Sequence, residues 1–154
     1  MIKPCLWFDG NAQEAVEWYV ETVPNSRVTA TTPYPEGAPL PAGTVMTIDF
    51  VLAGRAFMAL NGGPQYAFTP AVSMMITCDT QQEIDRLWDA FTSGGGKPLA
   101  CGWVNDRWGL SWQVVPSILF ELMAEEPAVR ERVLHALWGM MKLEIEGLKQ
   151  AAGR

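Results

Sequence analysis

The stretch CGWVNDRWGLSWQVVPSILFELM, residues 101–123, decides the fold. It holds a tight turn and two apolar runs, which predict β-strands over residues 110–115 and 118–123. Glu121 interrupts the second run, and a charge inside an apolar strand is costly unless it is paired or faces a wet cavity. Because side chains alternate along a strand, Glu121 and Met123 are predicted to line one pocket together. Glu121 is therefore the candidate catalytic residue, as a general base or hydrogen-bond acceptor; the alternative is a buried structural carboxylate paired with a neighbour.

Length and composition indicate a single globular domain. The chain has 154 residues, of which 49% are hydrophobic, enough for a packed interior. The net charge of −6 argues against nucleic acid and against anionic membrane surfaces, because both attract basic proteins. No run reaches the roughly 18 apolar residues of a membrane span. The start MIKPCLWFDG lacks the layout of a signal peptide and the three cysteines form no CxxC pair, so a cytoplasmic location is expected.

The predicted elements occur twice. A strand, a helix and three further strands are expected over residues 1–64 and again over residues 70–124, and helices follow over residues 125–154. Asp9, after the first strand, recurs as Asp79, after the strand that opens the second round. Self-similarity at a fixed spacing is the sign of an internal duplication. The sequence therefore predicts one α+β domain of two βαβββ modules with a C-terminal helical extension.

Two biased stretches connect these elements. PYPEGAPLPAG, residues 33–43, contains four of the eleven prolines and predicts a stiff surface loop, with a pocket lid as the alternative. The three glycines at residues 94–96 follow a predicted helix. Glycine-rich loops that bind dinucleotides or S-adenosylmethionine instead follow a strand and open a helix. No cofactor loop of a methyltransferase is therefore predicted.

Three segments carry a resemblance to a known family. They are LWFDGNAQEAVEWY, ALNGGPQYAFTPAVSMMITCDTQQEID and CGWVNDRWGLSWQVVP, which begin at residues 6, 59 and 101. These segments resemble the PhnB-like branch of the glyoxalase/bleomycin resistance/dioxygenase superfamily, the vicinal oxygen chelate proteins, over nearly the whole chain including the C-terminal helices. The resemblance implies that two βαβββ modules form an incomplete mixed β-barrel with a concave pocket, usually in a homodimer. Members of this branch often carry the label 3-demethylubiquinone-9 3-methyltransferase.

The resemblance also implies four positions at which metal-dependent members of the superfamily place His, Glu or Gln ligands. On this chain those positions fall at about Pro4, at Leu60 or Asn61, at Ser73 and at Glu121. Only Glu121 is a good ligand, whereas a divalent site normally needs three or four His or carboxylate groups. The sole histidine, His135, lies in the C-terminal extension and is expected at a helix surface or an interface. A divalent metal is therefore not expected, and the cofactor stays unidentified.

Polar and aromatic residues complete the predicted pocket. Trp103, Asp106 and Trp108 lie in the turn of the opening stretch, where they could clamp a flat ligand together with Arg107. The alternative is that Asp106 caps the turn and the tryptophan rings are packing residues. Gln113 lies in a strand, where an inward amide needs hydrogen-bond partners. Two further predicted ligand-binding residues, at the ends of pocket strands, are Asn61 and Ser73.

Two classes of function remain open, together with a family label. The first is a binding protein that holds a small, partly apolar molecule in the concavity, with Glu121, Gln113 and Asn61 as polar anchors and without the usual metal site. The second is an enzyme of lyase, isomerase or dioxygenase type that uses Glu121 for proton transfer, with or without a metal. The methyltransferase label is supported by no cofactor motif. The expected partners are a second copy of the chain and a small molecule.

Overall fold

The computed structural model of the chain describes residues 2–154 and divides into two units, one running to Phe68 and the other from Thr69 to Arg154. Each unit begins with the order strand, helix, strand, strand, strand, and each contains a four-stranded mixed sheet. The predicted α+β fold class, with two βαβββ modules followed by helices, is therefore confirmed. Among residues 2–154, every helix is too short or too polar to cross a lipid bilayer.

The first unit packs one helix on one face of its sheet. Its elements are β1 (Cys5–Phe8), α1 (Ala12–Thr22), β2 (Arg27–Pro33), β3 (Val45–Leu52) and β4 (Arg55–Asn61). The strand order is β1-β4-β3-β2, with β1 parallel to β4 and the other pairs antiparallel. Val16 and Tyr19 of α1 are fully buried, as the helical spacing of apolar residues predicts. Ala53 and Gly54, both with positive φ, form the tight turn between β3 and β4.

The second unit repeats this arrangement. Its elements are β5 (Ser73–Cys78), α2 (Gln81–Ser93), β6 (Lys97–Pro98), β7 (Trp103–Asn105) and β8 (Ser111–Pro116). The strand order is β5-β8-β7-β6, with β5 parallel to β8. Helix α2 begins with a capping box in which the Thr80 hydroxyl accepts from the Glu83 amide and the Glu83 carboxylate accepts from the Thr80 amide. Its buried face is formed by Ile84, Leu87, Trp88 and Phe91.

The strand predicted over residues 118–123 is wrong, because Ile118–Met123 forms a helix, α3. The last strand of the sheet, β8, ends at Pro116, which has no amide hydrogen with which to extend the ladder. A short apolar run does not distinguish a strand from a helix by periodicity alone, and leucine, glutamate and methionine favour the helix. Residues 99–102 form no strand and lie between β6 and β7.

The C-terminal extension continues with α4 (Pro127–Trp138) and α5 (Ile145–Ala152). Pro127 occupies the start of α4, where its fixed φ suits the helix and its missing amide hydrogen is not needed. Helices α3, α4 and α5 share a buried cluster of Leu122, Val133 and Leu148. The chain between α4 and α5 is tied to the rest of the second unit through its backbone, because the Cys101 and Gly102 amides donate to the carbonyls of Met140 and Met141. The Gln81 side chain reinforces this attachment by donating to Leu143 O and accepting from Ile145 N.

Candidate functional site

The sheet of the second unit has two chemically different faces. Val104, Trp112 and Val114 lie on the face packed under α2, where the rings of Phe91 and Trp112 are 5.0 Å apart. Because side chains alternate along each strand, the residues between them point the other way. We call this second surface the Gln113 face; it is formed by Ser73, Met75, Trp103 and Gln113.

Gln113 lies at the centre of this face. In the register of the sheet it is opposite Trp103 on β7 and opposite Met75 on β5. Its amide Nε2 donates to the hydroxyl oxygen of Ser73 at 2.8 Å. Met75 is 51% exposed, and the other three side chains are half-buried. The structure therefore brings three residues predicted for the pocket, Ser73, Trp103 and Gln113, onto one partly accessible surface.

Among residues 2–154, the Ser73 hydroxyl is the one side-chain partner found for the Gln113 amide. A glutamine amide can donate two hydrogen bonds and accept two more at its oxygen. On this face the Gln113 amide can therefore form further hydrogen bonds, and it lies beside the indole ring of Trp103 and the thioether of Met75. Such a combination of groups binds and orients a small, largely apolar ligand.

Asp106 holds the turn between β7 and β8. It is 5% exposed, and its Oδ1 accepts from the amides of Trp108 and Leu110 at 2.9 and 3.0 Å. Its Oδ2 accepts from the indole Nε1 of Trp112 at 2.9 Å. The Arg107 guanidinium lies over the Trp108 ring, 4.4 Å from its centre. Asp106 thus caps the turn, which was one of the two interpretations of this group, and its carboxylate oxygens are directed at the protein's own donors.

Glu121 and Met123 lie away from any strand. Glu121 is exposed on α3. Its predicted role in proton transfer assumed a buried side chain, and that prediction of burial is wrong. Met123 packs against the Leu122 cluster of the C-terminal helices instead of lining a pocket with Glu121. The physical reason is that the chain is helical after Pro116, so alternate residues no longer point to opposite faces of a sheet.

Asn61 connects three elements of the first unit. It is 5% exposed, its Oδ1 accepts from the Ala12 amide and its Nδ2 donates to Val45 O, each at 2.9 Å. The Tyr34 hydroxyl donates to Asn61 O at 2.5 Å. Asn11, directly before α1, makes no side-chain cap, so Asn61 satisfies the first helical amide from a distant strand. This side chain is fixed by structural hydrogen bonds at the edge of a cleft.

That cleft lies between the start of α1 and the proline-rich loop after β2. Its volume is about 480 Å³, and it is lined by Gly10, Gln13, Leu40, Pro41, Gly43, Thr44, Val45 and Asn61. Asn61 was predicted for a pocket, whereas Gln13 and Thr44 were not. Their shared position depends on how residues 34–44 fold back toward α1, and the only sequence signal for it was the biased loop composition.

The positions implied for metal ligands do not fit a divalent ion. Pro4, Leu60, Asn61 and Ser73 offer neither a carboxylate nor an imidazole, and Glu121 lies on a helix. Within residues 2–154, no three His, Cys, Asp or Glu side chains are grouped so that they could hold a metal. His135 is exposed on α4, where its Nε2 is 3.9 Å from a Glu131 carboxylate oxygen.

Two of the three cysteine thiols, those of Cys5 and Cys78, are not poised for nucleophilic chemistry. Burial raises the pKa of Cys78 to about 11, so this thiol is protonated at neutral pH. Burial also raises the pKa of the Cys5 thiol, although its residue is exposed overall. A reactive cysteine needs the opposite shift, toward the thiolate.

The family model and one of the solved structures that match this chain carry the same family description. The family model described as 3-demethylubiquinone-9 3-methyltransferase matches residues 1–115. A PhnB protein from Bacillus cereus with the same description is 32% identical; the match covers 75% of this chain and 98% of that chain, with a TM-score of 0.69. A protein from Pseudomonas aeruginosa is 26% identical over 75% of this chain and 96% of that one, with a TM-score of 0.61. The search against curated proteins finds no match.

A fosfomycin resistance protein, FosX, from Listeria monocytogenes shows the same fold at 12% identity; the match covers 81% of this chain and 97% of that chain, with a TM-score of 0.58. The family match ends at residue 115, which corrects the expectation that the resemblance includes the C-terminal helices. Helices α3, α4 and α5 therefore lie beyond the matched region.

Proposed function

This chain belongs to the 3-demethylubiquinone-9 3-methyltransferase family, in the PhnB-like branch of the vicinal oxygen chelate superfamily, and we propose that it binds a small, partly apolar molecule on the Gln113 face. The observation that carries the proposal is the hydrogen bond from Gln113 to Ser73 between an indole and a thioether. In this arrangement Trp103 and Met75 supply apolar contact area, and Gln113 supplies orientation.

The proposed binding requires no resident divalent metal. Support comes from the chemistry of the side chains at the positions that the superfamily uses for ligands, where only Glu121 carries a carboxylate. A catalytic role of Glu121 stays a prediction, and burial does not support it because the side chain is exposed. Replacement by glutamine tests it directly: a loss of turnover with unchanged ligand affinity would establish an enzyme, and unchanged turnover would dismiss Glu121.

The activity in the family description would require S-adenosylmethionine. In this chain the three glycines at residues 94–96 end α2 and lead into β6, so they do not open a helix. Gly96 serves packing, because a Cβ at this position would lie 2.4 Å from Phe91 O. We expect no heat of binding when S-adenosylmethionine is titrated into the protein, and a saturable isotherm would restore the methyltransferase interpretation.

The main experiment is a thermal-shift screen of small aromatic and aliphatic compounds. A ligand at 100 times its Kd stabilises the folded state by about 2.7 kcal/mol, which is readily detected. For each compound that binds, Gln113→Ala should remove a hydrogen bond to the ligand that contributes about 1.4 kcal/mol. We therefore expect this variant to weaken affinity about tenfold. The matched control is Gln82→Ala, on the exposed side of α2, which is expected to leave affinity unchanged. Equal affinities in the two variants would place the ligand elsewhere.

The predicted homodimer also belongs to this proposal. PhnB-like proteins are expected to pair, and the chain mass of 17.0 kDa makes the test simple. Light scattering at micromolar concentration should give twice the chain mass, and a value of one chain mass would refute the dimer. The cytoplasmic location stays a prediction.

A further inference from the structure

The first unit carries two adjoining clefts between α1 and the strands β2 and β3. One is the cleft of about 480 Å³ beside the proline-rich loop, and the second, of about 290 Å³, continues along α1 toward β2. Gln13 and Val45 line both, so the two volumes meet at these residues. We call the combined feature the α1 groove. It lies in the first unit, whereas the Gln113 face lies in the second.

The wall of the groove formed by the proline-rich loop is held in place. The amide of Tyr34 donates to Thr44 O at 2.8 Å, and the amide of Gly43 donates to Tyr34 O at 3.0 Å. The Tyr34 hydroxyl fixes the same segment to β4 through Asn61 O. Preformed walls reduce the ordering entropy that a ligand must overcome on binding. The groove is therefore a built feature of the unit and not a gap under an unanchored loop.

The lining of the groove is mainly aliphatic. Its apolar residues are Val16, Val28, Leu40, Pro41, Val45 and Ile48. Neutral polar groups are contributed by Gln13, Thr31 and Thr44. The one charged side chain in the lining is Glu17, whose Oε1 accepts from Gln13 Nε2 at 2.9 Å, and no lysine or arginine lines the groove.

We propose that the α1 groove binds an elongated aliphatic molecule that carries an amine. The hydrocarbon part lies along Val45 and Ile48, and the ammonium group pairs with the Glu17 carboxylate. A carboxylate or phosphate ligand is disfavoured, because it would meet a like charge and find no cation. Because the two clefts share Gln13 and Val45, a hydrocarbon chain can extend from one cleft into the other.

Three probes of equal chain length separate the charge requirement from the apolar one: octylamine, octanol and octanoate. Affinities are measured by following methyl and amide resonances of the full chain during titration. We expect octylamine to bind at least tenfold more tightly than octanoate, with octanol between them, and the shifted resonances to cluster at Val28, Val45 and Ile48. Octanoate binding as tight as octylamine, or shifts confined to the second unit, would overturn the proposal.

Two variants complete the test. Glu17→Gln should weaken octylamine at least fivefold and leave octanol unchanged, whereas Glu21→Gln, on the same helix but outside the groove, should alter neither. Thr31→Trp, on the exposed strand β2, should block all three probes by filling the groove. An unchanged octylamine affinity in Glu17→Gln overturns the amine assignment. A change from dimer to monomer in Thr31→Trp overturns the proposal in favour of a second copy of the chain as the occupant.

Discussion

Removal of the Asp106 carboxylate should destabilise the second unit more than most single substitutions. The side chain is 5% exposed and accepts hydrogen bonds from two backbone amides and one indole. Leu110 and Trp112, which supply two of these donors, are each 2% exposed. In Asp106→Ala the buried donors lose this acceptor and water does not reach them easily. The turn between β7 and β8 thereby loses the group that closes it.

The magnitude follows from the number and burial of these bonds. A hydrogen bond to a charged group contributes about 1.5 to 3 kcal/mol, and two of the three donors are buried. The bond to the half-buried Trp108 amide contributes less, because water can replace it. We expect a loss of about 3 to 5 kcal/mol in the free energy of unfolding, against a typical total of about 5 to 15 kcal/mol for a domain.

Urea unfolding followed by tryptophan fluorescence measures this loss. The control is Asp89→Asn, an exposed carboxylate on α2, for which a change below about 0.5 kcal/mol is expected. Asp106→Asn keeps an oxygen for the backbone amides but can direct an NH₂ group at the indole NH. Combined with Trp112→Phe in a double-mutant cycle, it should show a coupling energy of at least about 0.5 kcal/mol. A loss below about 1 kcal/mol for Asp106→Ala, or an absence of coupling, would refute this account of the turn.

Four further substitutions test other parts of the fold. Gly96→Ala places a Cβ 2.4 Å from Phe91 O, a backbone atom, and should cost about 1 to 3 kcal/mol in urea unfolding. Thr80→Ala removes the cap of α2 and should cost about 1 kcal/mol in the same assay, whereas a cost near zero would mean that the capping box contributes nothing. Backbone hydrogen bonds from Thr80 and Asp79 lower the pKa of Glu83. The stability that this carboxylate contributes is therefore present above its unfolded pKa and is lost as the pH falls through its folded pKa. Glu83→Gln should reduce the loss of stability in acid, measured by thermal melts between pH 6 and pH 3. Asn61→Ala leaves the first amide of α1 and a β3 carbonyl without their partner and should cost about 2 to 4 kcal/mol, with helical content measured by circular dichroism.

The parts of the fold that could be predicted are those in which local pattern and tertiary structure agree. The spacing of apolar residues in α1 and the Ala53-Gly54 turn each specify their conformation within a few residues. The segment 118–123 does not, because a run of six mainly apolar residues is compatible with a strand or a helix. There the decision depends on Pro116 and on the cluster that Leu122 joins with distant helices.

The candidate site divides in the same way. Gln113 was predicted because an inward amide in a strand needs hydrogen-bond partners, and Ser73 because it lies at the end of a pocket strand; their hydrogen bond joins adjacent strands. Glu121 was misplaced because its assignment depended on the wrong element type. Gln13 and Thr44 were missed because they meet only through the path of a loop, which a single sequence does not specify.

The attachment of the C-terminal helices has a consequence for the order in which the protein is made. All strands and the helix of the first unit are synthesised by Phe68, so that unit can fold while the rest of the chain is still being translated. The second unit needs the carbonyls of Met140 and Met141 for its Cys101 and Gly102 amides, and Leu148 for its buried cluster. The second unit therefore completes these contacts only after residues 140–148 have been synthesised. Until then the Cys101 and Gly102 amides lack the two carbonyls that accept their hydrogen bonds.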